Sequence, residues 1–257
     1  MLDFLNRSAS VRFRPARKAL KRHTSLALDG RRYGVVIHEN ARTSRLTLRL
    51  LPQPKGDDAF KITVPPGTPL TDIDTFLSRH LDWAAEQVGG RPEPVAIEDG
   101  ATIPLRGVPT RIVHAGAGRG LTKLDDLDGE PVLIVHGDAD HVARRVTDFL
   151  KREAKADLAR SVARHAKALG VKPRSITIRD TVSRWGSCST TGALNFSWRI
   201  VLAPPEVLDY LAAHEVAHLR EMNHSPRFWS LVEDLLPGME RQRRWLREHG
   251  ATLHAVG

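Results

Sequence analysis

One cysteine, Cys188, is all that this chain of 257 residues contains, so no disulfide can form within it and packing alone must hold the fold. Such sparing use of cysteine suits a reducing compartment. No stretch approaches the ~18 consecutive apolar residues that a helix needs to cross a bilayer. The start, Met-Leu-Asp-Phe-Leu-Asn-Arg, lacks a basic stretch followed by an apolar core, so no signal peptide is expected and a cytoplasmic location is. Acidic residues are the minority, 30 against 39 Lys and Arg, which leaves a net charge of +9. The excess is mostly arginine, 30 residues against nine lysines. There is no internal repeat and no long low-complexity tract.

What is present divides into three stretches. Residues 1–30 read as a basic leader, a disordered or edge segment, with Arg12, Arg14, Arg17, Lys18, Lys21, Arg22 and His23 close together. Residues 31–139 alternate like strands at Tyr33–His38, Leu46–Leu50, Lys61–Val64, Thr110–His114 and Pro131–Val135, with a helix over Leu70–Val88 between them. The glycines at 116, 118 and 120 lack a following Lys-Ser/Thr and an amphipathic helix start, so they read as a loop and not as a phosphate cradle. Residues 140–250 form the third stretch. It begins with a long basic helix over 140–169, apolar at Val142, Val146, Phe149, Leu150, Leu158 and Val162 and stopped by Gly170. Its other face carries Arg144, Arg145, Lys151, Arg152, Lys155, Arg160, Arg164 and Lys167. Glu153 and Asp157 interrupt that face and no aromatic platform accompanies it, so it reads as solvated and lends nucleic acid binding only weak support. Ser175–Arg179 and Ala193–Leu202 then read as strands. The fold class expected is α+β: a β-rich first part, then a small sheet packed on a helix.

That last helix carries the chemistry. His214-Glu215-Val216-Ala217-His218 places two imidazoles four residues apart, so both leave one helical face and can share one Zn²⁺ at about 2.0–2.1 Å each. Glu215 is then placed to take a proton from a water on that metal. Pro205 opens the helix at a position where a missing N–H costs nothing, and Glu206 puts a carboxylate in its first turn. A third nitrogen can come from His224 only if the helix ends near Met222-Asn223, because six residues past His218 it would otherwise point ~240° away. Asn223 suits a left-handed C-terminal position, and Ser225-Pro226 suits the cap and first residue of a new helix running to Pro237-Gly238. Glu221, Glu233 and Asp234 are rival third ligands, Glu233 the strongest of them. A core helix with incidental histidines leaves both the spacing and the placement of His224 as coincidence.

Further blocks accompany the motif: Arg184-Trp185-Gly186-Ser187-Cys188-Ser189, Asn195-Phe196-Ser197-Trp198-Arg199, Asp209-Tyr210, Asn223-His224-Ser225 and Phe228-Trp229. In this order they resemble the YgjP-like metallopeptidase family, over roughly residues 145–250 with fainter similarity before, and more distantly SprT-like proteases. The resemblance implies a compact gluzincin-type fold with one zinc, held by His214, His218 and His224, and a catalytic Glu215. Members of the resembled family have also been described as UTP pyrophosphatases, and some SprT-like proteases act on DNA-bound proteins.

The function expected is therefore zinc-dependent hydrolysis of a peptide bond, with a polypeptide as partner. A nucleotide pyrophosphatase is the alternative, although no acidic cluster for Mg²⁺ and no phosphate loop appear. A protease of DNA-bound proteins rests on basicity alone, and a non-catalytic zinc module fits poorly with an intact Glu215. Tyr210, one turn before His214, either supports that ring, touches the transition state or simply packs. The oxyanion partner has no visible candidate, and Glu221, Glu233 and Asp234 are unranked as carboxylates that would orient the histidines. Trp185, Trp198 and Cys188 read as packing residues. An extended substrate is expected to pair with the edge of the Ala193–Leu202 strand.

Overall fold

The computed structural model describes residues 22–55, 57–181 and 184–257. The chain is α+β and splits into two compact units, one ending at Gly89 and the other running Gly90–Gly257. Residues 1–21, most of the expected basic leader, lie outside the described residues. Within the rest of that stretch Arg22–Leu28 forms β1, a strand at the edge of its sheet, paired antiparallel with β2, Arg31–Glu39. The apolar alternation Leu26, Leu28 buries one face of β1, and this holds it to the sheet despite the basic residues before it.

In the first unit β3, Thr47–Lys55, and β4, Asp58–Val64, complete a sheet of order β1-β2-β4-β3. Val35, Ile37, Phe60, Ile62 and Val64 point into its core, where Ile73 and Leu77 of α1, Leu70–Ser78, and Ala84 of α2, Leu81–Gly89, meet them. The single helix expected over Leu70–Val88 is thus two. At the break His80 turns its ring back, bonding the Phe76 carbonyl through Nδ1 at 2.7 Å and stacking on the Phe76 ring.

The second unit opens with β5, Thr102–Leu105, β6, Val108–His114, β7, Lys123–Leu127, and β8, Glu130–Val135, in the order β5-β6-β8-β7. Arg106 and Gly107 both take positive φ in the two-residue turn between β5 and β6, as a hairpin of right-handed twist demands. Arg106 is held there by Asp157 and Glu153, at 2.8 and 2.9 Å. Both acids sit on α3, Val142–Leu169, which ends at left-handed Gly170. The two carboxylates that interrupt the basic face of α3 therefore serve as anchors for the hairpin.

After α3 come β9, Ser175–Arg179, β10, Gly186–Cys188, and β11, Ala193–Ser197, in the order β10-β11-β9. β11 runs parallel to β9 and antiparallel to β10. The expected strand Ala193–Leu202 stops at Ser197, and Trp198–Leu202 coils into a buried 3₁₀ segment. Trp198, Ile200, Val201 and Leu202 are all buried because β5, α3, α4 and α6 cover the segment, so no apolar alternation survives, and Arg199 is buried by its bonds to Asp180, Val256 and Gly257. Helices α4, Pro205–Ala217, α5, Pro226–Leu235, and α6, Glu240–His254, finish the chain. Among the described residues no helix is long and apolar enough to cross a membrane.

Candidate metal centre

α4 is surrounded. Val207, Leu208, Leu211, Ala212, Ala213, Val216 and Ala217 are all buried, which leaves the His-Glu face as its polar seam. Asp209, also on α4, accepts hydrogen bonds from Ser161, Arg164 and His165 of α3, so the helix is pinned by a polar node as well as by packing. The His165 bond measures 2.7 Å, and the hydrogen bonds from His165 and Ser161 hold the Asp209 carboxyl below its usual range against the opposing pull of burial.

The helix ends sooner than Met222-Asn223. His218 already caps it, and Leu219, Arg220 and Glu221 follow in tight turns, with Leu219 N–H donating to Val216 and Arg220 N–H to Ala217, each at 3.0 Å. Asn223 takes no positive φ, so these 3₁₀-like turns do the work expected of a left-handed Asn. Ser225 then caps α5 as expected, its Oγ accepting from Phe228 N–H at 3.3 Å. The early stop swings His224 back over α4.

The result is a cluster of three imidazoles. The ligand nitrogens of His214, His218 and His224 all lie within 4.8 Å of one another, and Nε2 of His224 stands 3.1 Å from Nε2 of His214. The Phe228 ring, fully buried, forms the floor: its centroid lies 4.9, 4.4 and 4.8 Å from those of His214, His218 and His224. Burial, with His218, His224 and Arg243 adding to it, lowers His214 to about 3. Burial lowers His218 too. Neutral imidazole is the form that offers a lone pair to a metal.

Do these residues fit a metal ion? His218 Nδ1 lies 3.0 Å from the Glu221 carbonyl, so it must donate, and this leaves Nε2 as the free acceptor. Nε2 atoms of His214 and His224 turned toward each other at 3.1 Å suit two ligands of one tetrahedral ion. An all-nitrogen set of three matches zinc chemistry. The group fits. The three expected rivals do not join it: Glu233 Oε1 accepts from Gly238 N–H at 2.8 Å, and Glu221 Oε1 accepts from Asn223 at 3.2 Å. The carboxylate expected to orient a histidine is replaced by the Glu221 backbone carbonyl. Asp234 is not among the groups brought to the cluster.

Glu215 packs against Gly186 of β10. It is 3% exposed, and burial raises its carboxyl to about 8 while Arg184 pulls it down. Its Oε2 has no hydrogen-bond partner among the described residues. A Cβ placed on Gly186 would stand 2.7 Å from Glu215 Cδ and 2.8 Å from Cγ, so glycine alone lets the strand pass this close. Gly186→Ala should overpack the contact, lowering the melting temperature by several degrees through a cost of about 1–3 kcal/mol. Any metal held by the histidine cluster should be kept. Melting curves and metal analysis check this, and an unchanged melting temperature would show that the contact yields freely.

Tyr210 is buried, its ring 5.9 Å from that of His214, and burial raises its phenol to about 12. Cys188 lies in β10 with its thiol raised by burial and then by Glu215, which suits packing better than nucleophilic attack. Trp198 is buried, and Trp185 stacks on His254 at 4.1 Å. Of the cations near the motif in sequence, Arg199 bonds the carbonyls of Val256 and Gly257 as well as Asp180, and Arg220 bonds the Leu169 carbonyl. Arg227 lies beside Glu221, 4.0 Å away. Sequence spacing missed Arg243, which α6 carries back to the cluster from a segment outside the motif. The free edge expected on β11 is also absent, since β11 is the central strand; β10, which packs on α4, is the edge beside Glu215.

A family model described as a YgjP-like metallopeptidase domain matches residues 46–249, which extends well before the stretch that carried the resemblance. No curated protein matches the chain. Among solved structures, a metallopeptidase zymogen, abylysin from Pyrococcus abyssi, is similar over 35% of this chain and 93% of its own, at 22% identity and a TM-score of 0.33. That likeness is too slight to argue from.

Proposed function

Because the chain belongs to the YgjP-like metallopeptidase family, and is thereby a hydrolase with a metal-binding histidine cluster, we propose that it is a one-zinc peptidase in which His214, His218 and His224 hold the ion and Glu215 is the general base. One observation carries this reading: three imidazoles converge over Phe228 while the Glu215 carboxyl of the same helix is buried and unpaired on one oxygen. A bound zinc would polarise the scissile carbonyl and make water acidic near neutral pH.

The chain's own residues do the rest. Glu215 takes a proton from the attacking water as its oxygen bonds to the carbonyl carbon, then returns that proton to the amine nitrogen as the C–N bond breaks. Its low exposure keeps bulk water from competing for the same proton. The Glu221 carbonyl keeps the His218 ring in one tautomer, so its Nε2 lone pair stays aimed at the cluster. Phe228 fixes the height of all three rings. Among the described residues β10 pairs with β11 alone, so an extended chain can add as a strand along its other side, next to Glu215.

The disposition of the arginines supports a peptide over a triphosphate. A triphosphate needs several converging cations; Arg199 and Arg220 are engaged elsewhere, which leaves Arg184 acting on Glu215 and Arg243 stacked on Trp229 near the cluster. The zinc-loaded protein should cleave an unstructured polypeptide, lose that activity to a chelator and regain it with zinc. Pyrophosphate release from UTP should stay at background in the same preparation. Chelator-sensitive UTP hydrolysis without peptide cleavage would overturn the peptidase reading.

A further inference from the structure

Arg243 is the cation that the fold, and not the sequence spacing, brings to the cluster. Its guanidinium carbon lies 4.1 Å from the centroid of the Trp229 ring. That ring in turn lies 5.8 Å from His214 and 5.6 Å from His224. The indole face orients the planar guanidinium, so little freedom remains to be lost when a ligand arrives. The Arg243 side chain is 43% exposed, and Nη1 donates to Glu240 Oε1 at 2.7 Å. Glu240 is more exposed still, and such surface pairs exchange readily with a competing anion. Among the described residues Nε and Nη2 have no acceptor, which leaves one side of the fork unoccupied.

The charge is felt at the site. After burial and the two neighbouring histidines, Arg243 is the remaining influence that lowers His214, and it opposes the burial that raises Tyr210. Distance decides what the guanidinium can touch. Steps of 4.1 and 5.8 Å separate it from the His214 ring. An extended chain advances about 3.3–3.6 Å per residue. The two steps put Arg243 no more than about 10 Å from the His214 ring, within reach of the residues on either side of a carbonyl held at the cluster.

We propose that Arg243, oriented on Trp229, is a specificity residue that binds a carboxylate of the polypeptide substrate within about two residues of the cleaved bond. This rests on the peptidase reading above. The carboxylate comes from an Asp or Glu side chain or from the substrate's C-terminus; both present the same planar pair of oxygens to the guanidinium fork.

The test uses the full zinc-loaded chain and matched peptides carrying Asp, Ala or Lys at each position within two residues of the cleaved bond, each with a free or an amidated C-terminus. The wild type should show a kcat/KM about tenfold higher for the carboxylate peptide than for its alanine match, as one charge-assisted hydrogen-bonded pair supplies. In Arg243→Gln that ratio should collapse toward one, and in Arg243→Glu it should favour Lys. The amidated set shows which source supplies the group. A ratio kept in Arg243→Gln, or an equal loss on every peptide, would overturn the proposal. Calorimetric binding of the same peptides to the zinc-loaded Glu215→Gln protein separates the two readings. Carboxylate preference in binding that depends on Arg243, with no cleavage by the wild type, upholds the role of Arg243 and removes the peptidase. Absence of binding to any of the peptides removes both.

Discussion

Replacing Glu215 by Gln should leave the zinc content unchanged and lower peptide hydrolysis by roughly 10²–10⁴-fold. Gln keeps the length and hydrogen-bonding capacity of the side chain, so it should fit the space beside Gly186, but it cannot hold the proton between water and leaving amine. Turnover of the metal-replete variant, measured beside its metal content, is the deciding pair. Full activity with full zinc would remove Glu215 from the mechanism.

The same substitution has a second readout that needs no substrate. In the metal-free protein burial raises Glu215 from 4.5 to about 8. The folded state therefore keeps this proton where the unfolded chain has released it, and stability drains away as pH rises from about 4.5 to about 8. Gln carries no charge at any pH. The melting temperature of the chelated Gln variant should match wild type near the acid end of that window and exceed it by several degrees at the alkaline end. His214, lowered by burial, is present in both proteins and cancels from the difference. A difference that stays constant across the window would mean that the carboxyl is not held neutral by its surroundings.

His224→Ala should weaken zinc binding by orders of magnitude and abolish hydrolysis with it, because a three-nitrogen set reduced to two leaves the ion largely to water. Glu233→Ala should keep the zinc. Glu233 accepts from Gly238 N–H at 2.8 Å, so its loss should appear as lower stability of the turn from α5 to α6, by about 1 kcal/mol. Metal analysis after dialysis against a weak chelator, together with melting curves, separates the two variants. Zinc lost from the Glu233 variant and kept in the His224 variant would reverse the assignment of the third ligand.

How much of this site could be read without the fold depends on how far apart its residues lie in the chain. His214, Glu215 and His218 share one helix, so the fixed rotation per residue settles which side chains leave together. His224 was legible one step less directly, through Ser225-Pro226 as a helix start. The stop itself was misplaced: it comes at His218 through 3₁₀-like turns, and no local residue type announces such turns. The strand through Leu202 failed for a related reason. All five residues of Trp198–Leu202 are buried, and a fully buried, mostly apolar run looks the same whether it is extended or coiled. β1 was hidden by the basic residues that precede it, and β10, three residues long, is too short to show alternation.

By itself the sequence determined the local chemistry: a helix presenting two imidazoles and a carboxylate, a capped restart that returns a third imidazole, and an α+β order of elements. Each follows from geometry that repeats within a few residues. Tertiary structure alone decided what surrounds that chemistry. It put Phe228 under the three rings, pressed Gly186 against Glu215, made β10 instead of β11 the open edge, and carried Arg243 from α6 to Trp229. Those contacts join segments whose separation along the chain is set by packing, and no periodicity encodes which distant side chain a folded core will bring near.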